Sequence, residues 1–217
     1  MSAKLVAMAS TATASLRERK RIATWDALHE AAATLALEHD SLQSVTVEAI
    51  ADLANVSPRT FFNYFATKED AVLGFREPAV SDEVLKSFRE STAPLVNRTA
   101  DFYFDVMASS RTLGAGLERR LAIVARHPEL SIRQITHFVR AEQLVREAAL
   151  EHMTGYVLPD SVPTFAALVD LLVVTSSAAL RTASRLPLAG PSATDADRRA
   201  AMHDVLLQLR EVSVHIS

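Results

Sequence analysis

The chain of 217 residues contains no cysteine, only 5 glycines and 6% aromatic residues. The lack of cysteine excludes disulfides, thiolate metal sites and cysteine nucleophiles, and it suits a reducing cytoplasm. All glycines lie at or beyond Gly74, and the hydrophobic 49% of the chain follows no alternating period. Strand signals are therefore scarce, and the sequence predicts an all-α fold.

Motifs of catalysis and membrane anchoring are also missing from the sequence. The longest uncharged apolar run, Leu171–Leu180, is shorter than the ~20 residues of a membrane span. No HExxH, GxSxG, phosphate-binding glycine loop or calcium-loop pattern occurs, and the 7 histidines are dispersed. We therefore expect a protein that is not an enzyme and has no cofactor, metal or membrane anchor.

Positive charge is concentrated near the start of the chain, although the net charge of −3 weakly opposes nucleic-acid binding by the whole surface. An amphipathic helix is predicted from Ser15 to about Glu38, and residues 1–14 are expected to be a disordered arm. Cations at the start of this helix can contact phosphates, although charged helix ends are often only solvated. The cluster comprises Arg17, Arg19, Lys20 and Arg21.

The stretch from Thr46 to Asp70 predicts two short helices joined by a tight turn, followed by the start of a third helix. Thr46 and Ser57 are N-cap residues, and Pro58 suits a first helical position. Thr67 and Asp70 have the spacing of a capping box. The predicted helices span about Val47–Ala54 and Pro58–Phe65, which is the arrangement of a helix-turn-helix.

The second predicted helix has one buried and one exposed face. Phe61 and Phe65 lie four residues apart and are expected to pack against the apolar face of the first helix. The opposite face carries a guanidinium, an amide, a hydroxyl and aromatic rings, the groups that contact phosphates and base edges. Its residues are Arg59, Phe62 and Asn63, with Thr60 and Tyr64 at the margins.

Thr46 to Lys68 resembles the DNA-binding signature of the TetR-type (tetracycline-repressor-like) transcriptional regulators. The run Phe61-Phe62-Asn63-Tyr64-Phe65 followed by Lys68-Glu69 carries the resemblance, which extends over Ser15–Gly74. Two positions depart from the family pattern. Asn55 occupies a turn position where glycine is usual, and Phe62 occupies a position where tyrosine is frequent, so a phosphate bond from that hydroxyl is lost unless Tyr64 supplies one.

The resemblance implies a helix-turn-helix domain at 15–76 and a helical effector-binding and dimerisation domain at 77–217. The expected function is sequence-specific binding of a double-stranded DNA operator by a homodimer, most simply as a cytoplasmic repressor. Arg59 and Asn63 are the candidates for base edges, and Phe62 for a sugar or a thymine methyl. The candidates for phosphates are Thr46, Ser57, Thr60, Tyr64 and Lys68.

The C-terminal part is expected to bind a small apolar effector and to pair its last two helices with those of a second subunit. A helix over 130–153 is expected to turn Ile135, Phe138, Val139, Val145 and Ala149 inward. The weaker effector candidates are the aromatic and apolar residues Phe102, Tyr103, Val106, Met107, Leu121, Phe138 and Phe165. Ordinary core packing is the alternative for all of these side chains.

Two other functions remain open at this point. The helix-turn-helix could dock a protein partner, which predicts salt-insensitive binding and no affinity for duplex DNA. An enzyme that uses the helical core as its site would turn over the bound small molecule. No sequence motif supports this second alternative.

Overall fold

The computed structural model describes residues 2–110, 116–153, 158, 161–184 and 194–215, with side chains described from Leu16 onward. Helices are the only regular elements in these ranges, which confirms the predicted all-α class. The chain divides into two compact units, which are described separately. The helix-turn-helix unit contains Met1–Gly74 and Ala122–Leu130, and the C-terminal unit contains Phe75–Leu121 and Ser131–Ser217.

The helix-turn-helix unit is built from four helices, one 3-10 turn and the end of a fifth helix. Its long first helix packs against the second and the fourth, and the second packs against the third. The elements are α1 (Ser2–Glu38), a 3-10 turn (Leu42–Ser44), α2 (Val47–Leu53), α3 (Pro58–Phe62), α4 (Lys68–Leu73) and the last part of α7 (Gly116–Arg126).

Helix α1 begins at Ser2, so it runs through most of the residues for which the sequence predicts a disordered arm. The first 57 residues contain neither glycine nor proline, and alanine, leucine, methionine and lysine are strong helix formers. Nothing in the local sequence therefore ends the helix before Trp25 and Leu28, which are buried in the unit.

The segment Ala122–Leu130 belongs to the helix-turn-helix unit although it lies about 50 residues further along the chain than Gly74. The His127 ring, which is 1% exposed, lies 2.6 Å from the carbonyl of Ala36 through its Nε2. Arg126 donates to the carbonyl of His39 at 3.1 Å and to the Asp40 carboxylate. These bonds satisfy carbonyls at the end of α1, and the contiguous domain division predicted from the sequence did not include them.

The helices of the C-terminal unit pack around one apolar core. Helix α6 contacts α5, α9 and α10. Ser81 caps α5 through its hydroxyl, and Thr194 and Asp197 form the capping box of α10. Hydrogen bonds from Thr194 lower the pKa of Asp197. The elements are α5 (Asp82–Glu90), α6 (Leu95–Ser109), the start of α7, α8 (Leu130–His152), α9 (Phe165–Ala183) and α10 (Asp195–His215).

Helix α8 is rotated relative to the prediction. Beyond Leu130 and His137, its buried side chains are Phe138, Ala141, Val145 and Ala149, at steps of three and four residues. Ile135 is 61% exposed and Val139 is also exposed, so their predicted inward positions are wrong. The prediction from hydrophobic periodicity placed the large apolar residues on the inward face and missed Ala141. The small side chain of Ala141 allows close helix packing.

Helix α9 is long and apolar enough to cross a membrane by length and composition, and 44% of its most apolar window is buried within the structure. Its buried face packs on α6 and α10. On the same helix Asp170 accepts an ion pair from Arg146 of α8, and Tyr103 of α6 donates to Ser177 at 3.2 Å. These contacts are those of the central helix of a folded domain.

The substitution Gly74→Ala tests the left-handed end of α4. Gly74 has φ +64°, and a Cβ at this position would lie 2.8 Å from Cε1 of His29. The imidazole cannot move freely, because its Nδ1 lies 2.7 Å from the carbonyl of Ala71. We expect Gly74→Ala to lower the free energy of unfolding by about 1–3 kcal/mol, measured by urea denaturation.

The matched control is Asn55→Gly, at the other described residue with a left-handed backbone, where φ is +54°. Glycine adopts this conformation without strain, so the free energy of unfolding should change by less than about 0.5 kcal/mol. Equal losses in the two variants would contradict the role of the His29 contact.

Candidate nucleic-acid interface

Three hydroxyl caps fix the starts of α2, α3 and α4. Thr46 Oγ1 accepts from the backbone N–H of Ala49 at 3.1 Å, and Ser57 Oγ accepts from that of Thr60 at 3.1 Å. Thr67 accepts from the N–H of Asp70 at 3.2 Å and donates its hydroxyl to the Asp70 carboxylate at 2.9 Å. The caps predicted from the sequence are therefore present at each helix start.

The turn between α2 and α3 depends on Asn55, whose φ is +54°. Asparagine tolerates this left-handed conformation better than most residues, as the sequence prediction requires. Helix α3 ends at Phe62, three residues earlier than predicted, and Asn63 is its C-cap. The helix stops there because the chain must turn through Tyr64 and Phe65 to place the cap of α4.

Two phenylalanines and a tryptophan anchor α3 from behind. Phe61 and Phe65 are buried, with ring centroids 5.8 Å apart. The Trp25 ring of α1 lies 5.2 Å from that of Phe65. Burial of each phenylalanine stabilises the folded state by roughly 1.5–3 kcal/mol. This stabilisation is large for a helix of only five residues.

The opposite side of α3 and its C-cap is open to solvent. Arg59 and Asn63 are exposed, and Phe62 is 59% exposed while its ring lies edge-on to Phe61 at 5.4 Å. Thr60 and Tyr64 are half-buried at the margins of this surface. We call the five residues the recognition surface, and the structure places together the side chains that the sequence assigned to it.

Two of the hydroxyls predicted to contact phosphates already have partners. Ser57 Oγ and Thr60 Oγ1 lie 2.9 Å apart, and Ser57 also caps α3. Thr46 caps α2 and is exposed. A hydroxyl donates one hydrogen and accepts up to two bonds, so Thr46 keeps its hydrogen for a phosphate, whereas Ser57 and Thr60 together keep one.

Lys68 has a structural role that the sequence prediction missed. Its ammonium donates to the carbonyl of Leu42 at 2.7 Å and to that of Val45 at 2.9 Å, and the side chain is half-buried. These carbonyls lie at the 3-10 turn between α1 and α2. Lys68 thus ties the start of α4 to this turn, and only one of its three N–H donors remains for a phosphate.

The basic cluster on α1 is exposed to solvent. Arg21 pairs with Glu18 at 2.6 Å, and the pKa of Arg21 is raised chiefly by that hydrogen bond. The side chains of Arg17, Arg19 and Lys20 make no hydrogen bond or ion pair with any residue that the structure describes. Three cations close together on one helix are therefore available to an anionic partner.

The effector candidates lie in the C-terminal unit, and most are core residues. Phe165 is partly buried against the core. Leu121 is 48% exposed, so the prediction that it faces this core is wrong. Ile123 of α7 is buried instead, and so is His127, which directly follows the helix. The buried candidates are Phe102, Tyr103, Val106, Met107 and Phe138.

A capped helix-turn-helix with an exposed polar and aromatic surface on its second helix defines the class of helix-turn-helix DNA-binding proteins. Residues 29–73 match the family model described as bacterial regulatory proteins, tetR family. The match spans α1 from His29 through α4. This match supports the assignment of the helix-turn-helix unit to the tetR family and a role in DNA binding. No curated protein matches the chain.

The substitution Lys68→Met tests the structural role of the ammonium. Methionine keeps an unbranched side chain but cannot donate, so the carbonyls of Leu42 and Val45 lose their partner. We expect the free energy of unfolding without DNA to fall by about 1–3 kcal/mol, measured by urea denaturation. The control Lys20→Met, at an exposed residue of α1, should change it by less than about 0.5 kcal/mol. An unchanged free energy of unfolding in Lys68→Met would refute the structural role of the Lys68 ammonium.

Proposed function

We propose that the chain is a homodimeric cytoplasmic repressor that binds a palindromic operator and is released by a small-molecule effector. The observation that carries the proposal is the recognition surface, where Arg59 and Asn63 are exposed while Phe61 and Phe65 hold the helix from behind. The match of residues 29–73 to the tetR family model supports DNA binding. Repression, the palindrome and the effector are the parts that experiments must test.

Each subunit lays α3 into a major groove, with half-sites about 34–36 Å or a multiple of that distance apart. The Arg59 guanidinium suits the two acceptors of guanine, and the Asn63 amide suits adenine. Phe62 contacts a sugar or a thymine methyl. The helix is positioned on phosphates by Thr46, Ser57, Thr60 and Tyr64. Lys68 contributes at most one donor to a phosphate, and the basic cluster of α1 adds further phosphate contacts. In this cluster the proposed phosphate contacts are Arg17, Arg19 and Lys20.

Exposed apolar residues on α9 and α10 support dimerisation through these two helices. On α9, Leu171 and Val174 are 59% and 55% exposed, and they lie three residues apart on one side. On α10, Leu207, Leu209 and Val212 are exposed to a similar degree. A symmetric four-helix bundle between two copies removes this surface from water.

The effector and the operator must weaken each other's binding to the same degree, because coupling between two sites is reciprocal. An apolar effector, as the sequence predicts, would have to enter among core side chains such as Phe102 and Met107, which are 2% and 1% exposed. Opening a close-packed core breaks van der Waals contacts between its side chains. The ligand would have to replace these contacts with contacts of its own.

Arg59→Ala tests base reading by the recognition surface. If Arg59 contacts a guanine, the substitution should cost about 1–3 kcal/mol on the operator and relax the preference at one base pair in each half-site. Binding to random duplex should change less. The measurement is fluorescence anisotropy with DNA from the region upstream of the gene and with shuffled duplex of equal length.

Arg89→Ala is the matched control, because Arg89 is an exposed arginine of α5 outside the recognition surface. It should leave operator affinity within about twofold, since surface substitutions away from a site have small effects. Equal losses on operator and shuffled duplex in Arg59→Ala would exclude base reading. Salt-insensitive binding without duplex preference would favour the protein-docking alternative.

Leu171→Asp tests the dimer surface. A buried charge and the loss of two symmetric leucines should weaken dimerisation at least about 100-fold, and operator affinity should fall with it. Ile135→Asp is the control, because Ile135 is 61% exposed on α8 and outside the proposed surface. Analytical ultracentrifugation of both variants distinguishes the surfaces. A dimer that survives Leu171→Asp but dissociates in Ile135→Asp would move the interface to α8.

A further inference from the structure

A half-open cavity of about 160 Å³ lies within the C-terminal unit, lined by α5, α6 and Arg199 of α10. A cavity of about 150 Å³ can hold a benzene-sized molecule, so this one suits a ligand of several heavy atoms. Its lining differs from the apolar site expected from the sequence. Of the seven effector candidates, only Phe102 lines it.

One wall of the cavity is aromatic. The rings of Phe88 and Phe102 stack with centroids 4.4 Å apart, and both side chains are buried. The guanidinium carbon of Arg98 lies 4.8 Å from the centroid of Phe88. An arginine placed over a ring contacts it through its face, whereas its N–H donors radiate from its edge. The wall therefore offers apolar contact next to a cation.

Two carboxylates one helical turn apart on α6 form the acidic part of the lining. Arg199 donates to Oδ1 of Asp101 at 2.9 Å and to Oδ1 of Asp105 at 2.5 Å, and His203 lies 2.9 Å from the same Oδ1 of Asp101. Burial lowers the pKa of Arg199, but the bonds to Asp105 and Asp101 outweigh it and the net shift is upward. Neither Oδ2 bonds any residue that the structure describes.

The two Oδ2 atoms are acceptors suited to an ammonium group, since a carboxylate has about four lone-pair sites. The donors of the lining are Arg98 and the hydroxyls of Ser87 and Ser91. Ser91 Oγ accepts from the N–H of Ala93 at 3.3 Å, so its own hydrogen can still be donated. A guanidinium fork with nearby hydroxyls matches the geometry of a carboxylate.

We propose that this cavity binds a zwitterion of amino-acid size, with its ammonium at Asp101 and Asp105, its carboxylate at Arg98 and the serines, and a short apolar group against Phe88 and Phe102. The lining holds two arginines and two aspartates, so its formal charges cancel. An anion alone meets two carboxylates, and a cation alone meets Arg98, which disfavours both. That this ligand is the effector rests on the proposed function.

Three probes that share one carbon skeleton test the charge requirement: L-valine carries both groups, isovalerate lacks the amine, and isobutylamine lacks the carboxylate. Isothermal titration calorimetry with the full chain should show L-valine binding at least about tenfold tighter than either analogue, because each loses a charge-assisted contact. Isovalerate or isobutylamine within threefold of L-valine, or no binding by any probe at 10 mM, would overturn the proposal.

Arg98→Met and Asp105→Asn should each weaken L-valine binding at least about tenfold, and Arg89→Met, at an exposed residue of α5, should not. Circular dichroism checks their folding, and Ser87→Ala, with an expected smaller loss, replaces a variant that fails to fold. Equal affinities in Arg98→Met and Arg89→Met would contradict the site. A gel shift without ligand tests operator binding separately, so the repressor function can fail while the cavity still binds L-valine.

Discussion

The burial of Phe61 and Phe65 against α1 and α2 is the interaction on which the recognition surface depends. Helix α3 has five residues, far fewer than an isolated helix needs to be stable in water. Its orientation therefore comes from tertiary contacts, and the ring of Trp25 supplies the other side of the anchor. Because Phe61 and Phe65 are buried, Arg59 and Asn63 on the opposite side of this segment are exposed.

The surroundings of this anchor are fixed by polar contacts to backbone carbonyls. Lys68 satisfies two carbonyls of the turn before α2, and His127 and Arg126 satisfy those at the end of α1. Carbonyls at helix ends and turns have no intrahelical partner, so such contacts stabilise the ends of several short elements at once. Gly74 then ends α4 where only a residue without a Cβ fits beside His29.

Much of the helix-turn-helix could be predicted from the sequence because its signals are local. A cap needs one hydroxyl and an N–H three residues later, so Thr46, Ser57 and Thr67 were identified without knowledge of the fold. The errors occurred where distant parts of the chain decide the outcome. Lys68 was assigned to phosphates because its carbonyl partners, at Leu42 and Val45, lie more than twenty residues away.

The inward faces of the C-terminal helices were harder to predict for the same physical reason. Apolar residues on α8 cover more than half a turn, and hydrophobic periodicity cannot say which part of that arc is buried. Ala141 faces the core and Ile135 faces solvent, because a close helix contact requires the smaller side chain. Leu121 on α7 was misplaced in the same way, while Ile123 two residues later is buried.

The cavity in the C-terminal unit is lined by charged residues, whereas the effector site expected from the sequence is apolar. The difference arises because ion pairs resist close packing. Apolar side chains fill space closely, and the effector candidates Tyr103, Val106, Met107 and Phe138 are buried in the apolar core. Charged groups such as Arg199 and Asp105 must keep defined donor and acceptor directions, which leaves space between them that apolar atoms do not fill. A site of this kind selects its ligand by charge pattern, so it discriminates more sharply among small molecules than an apolar pocket does.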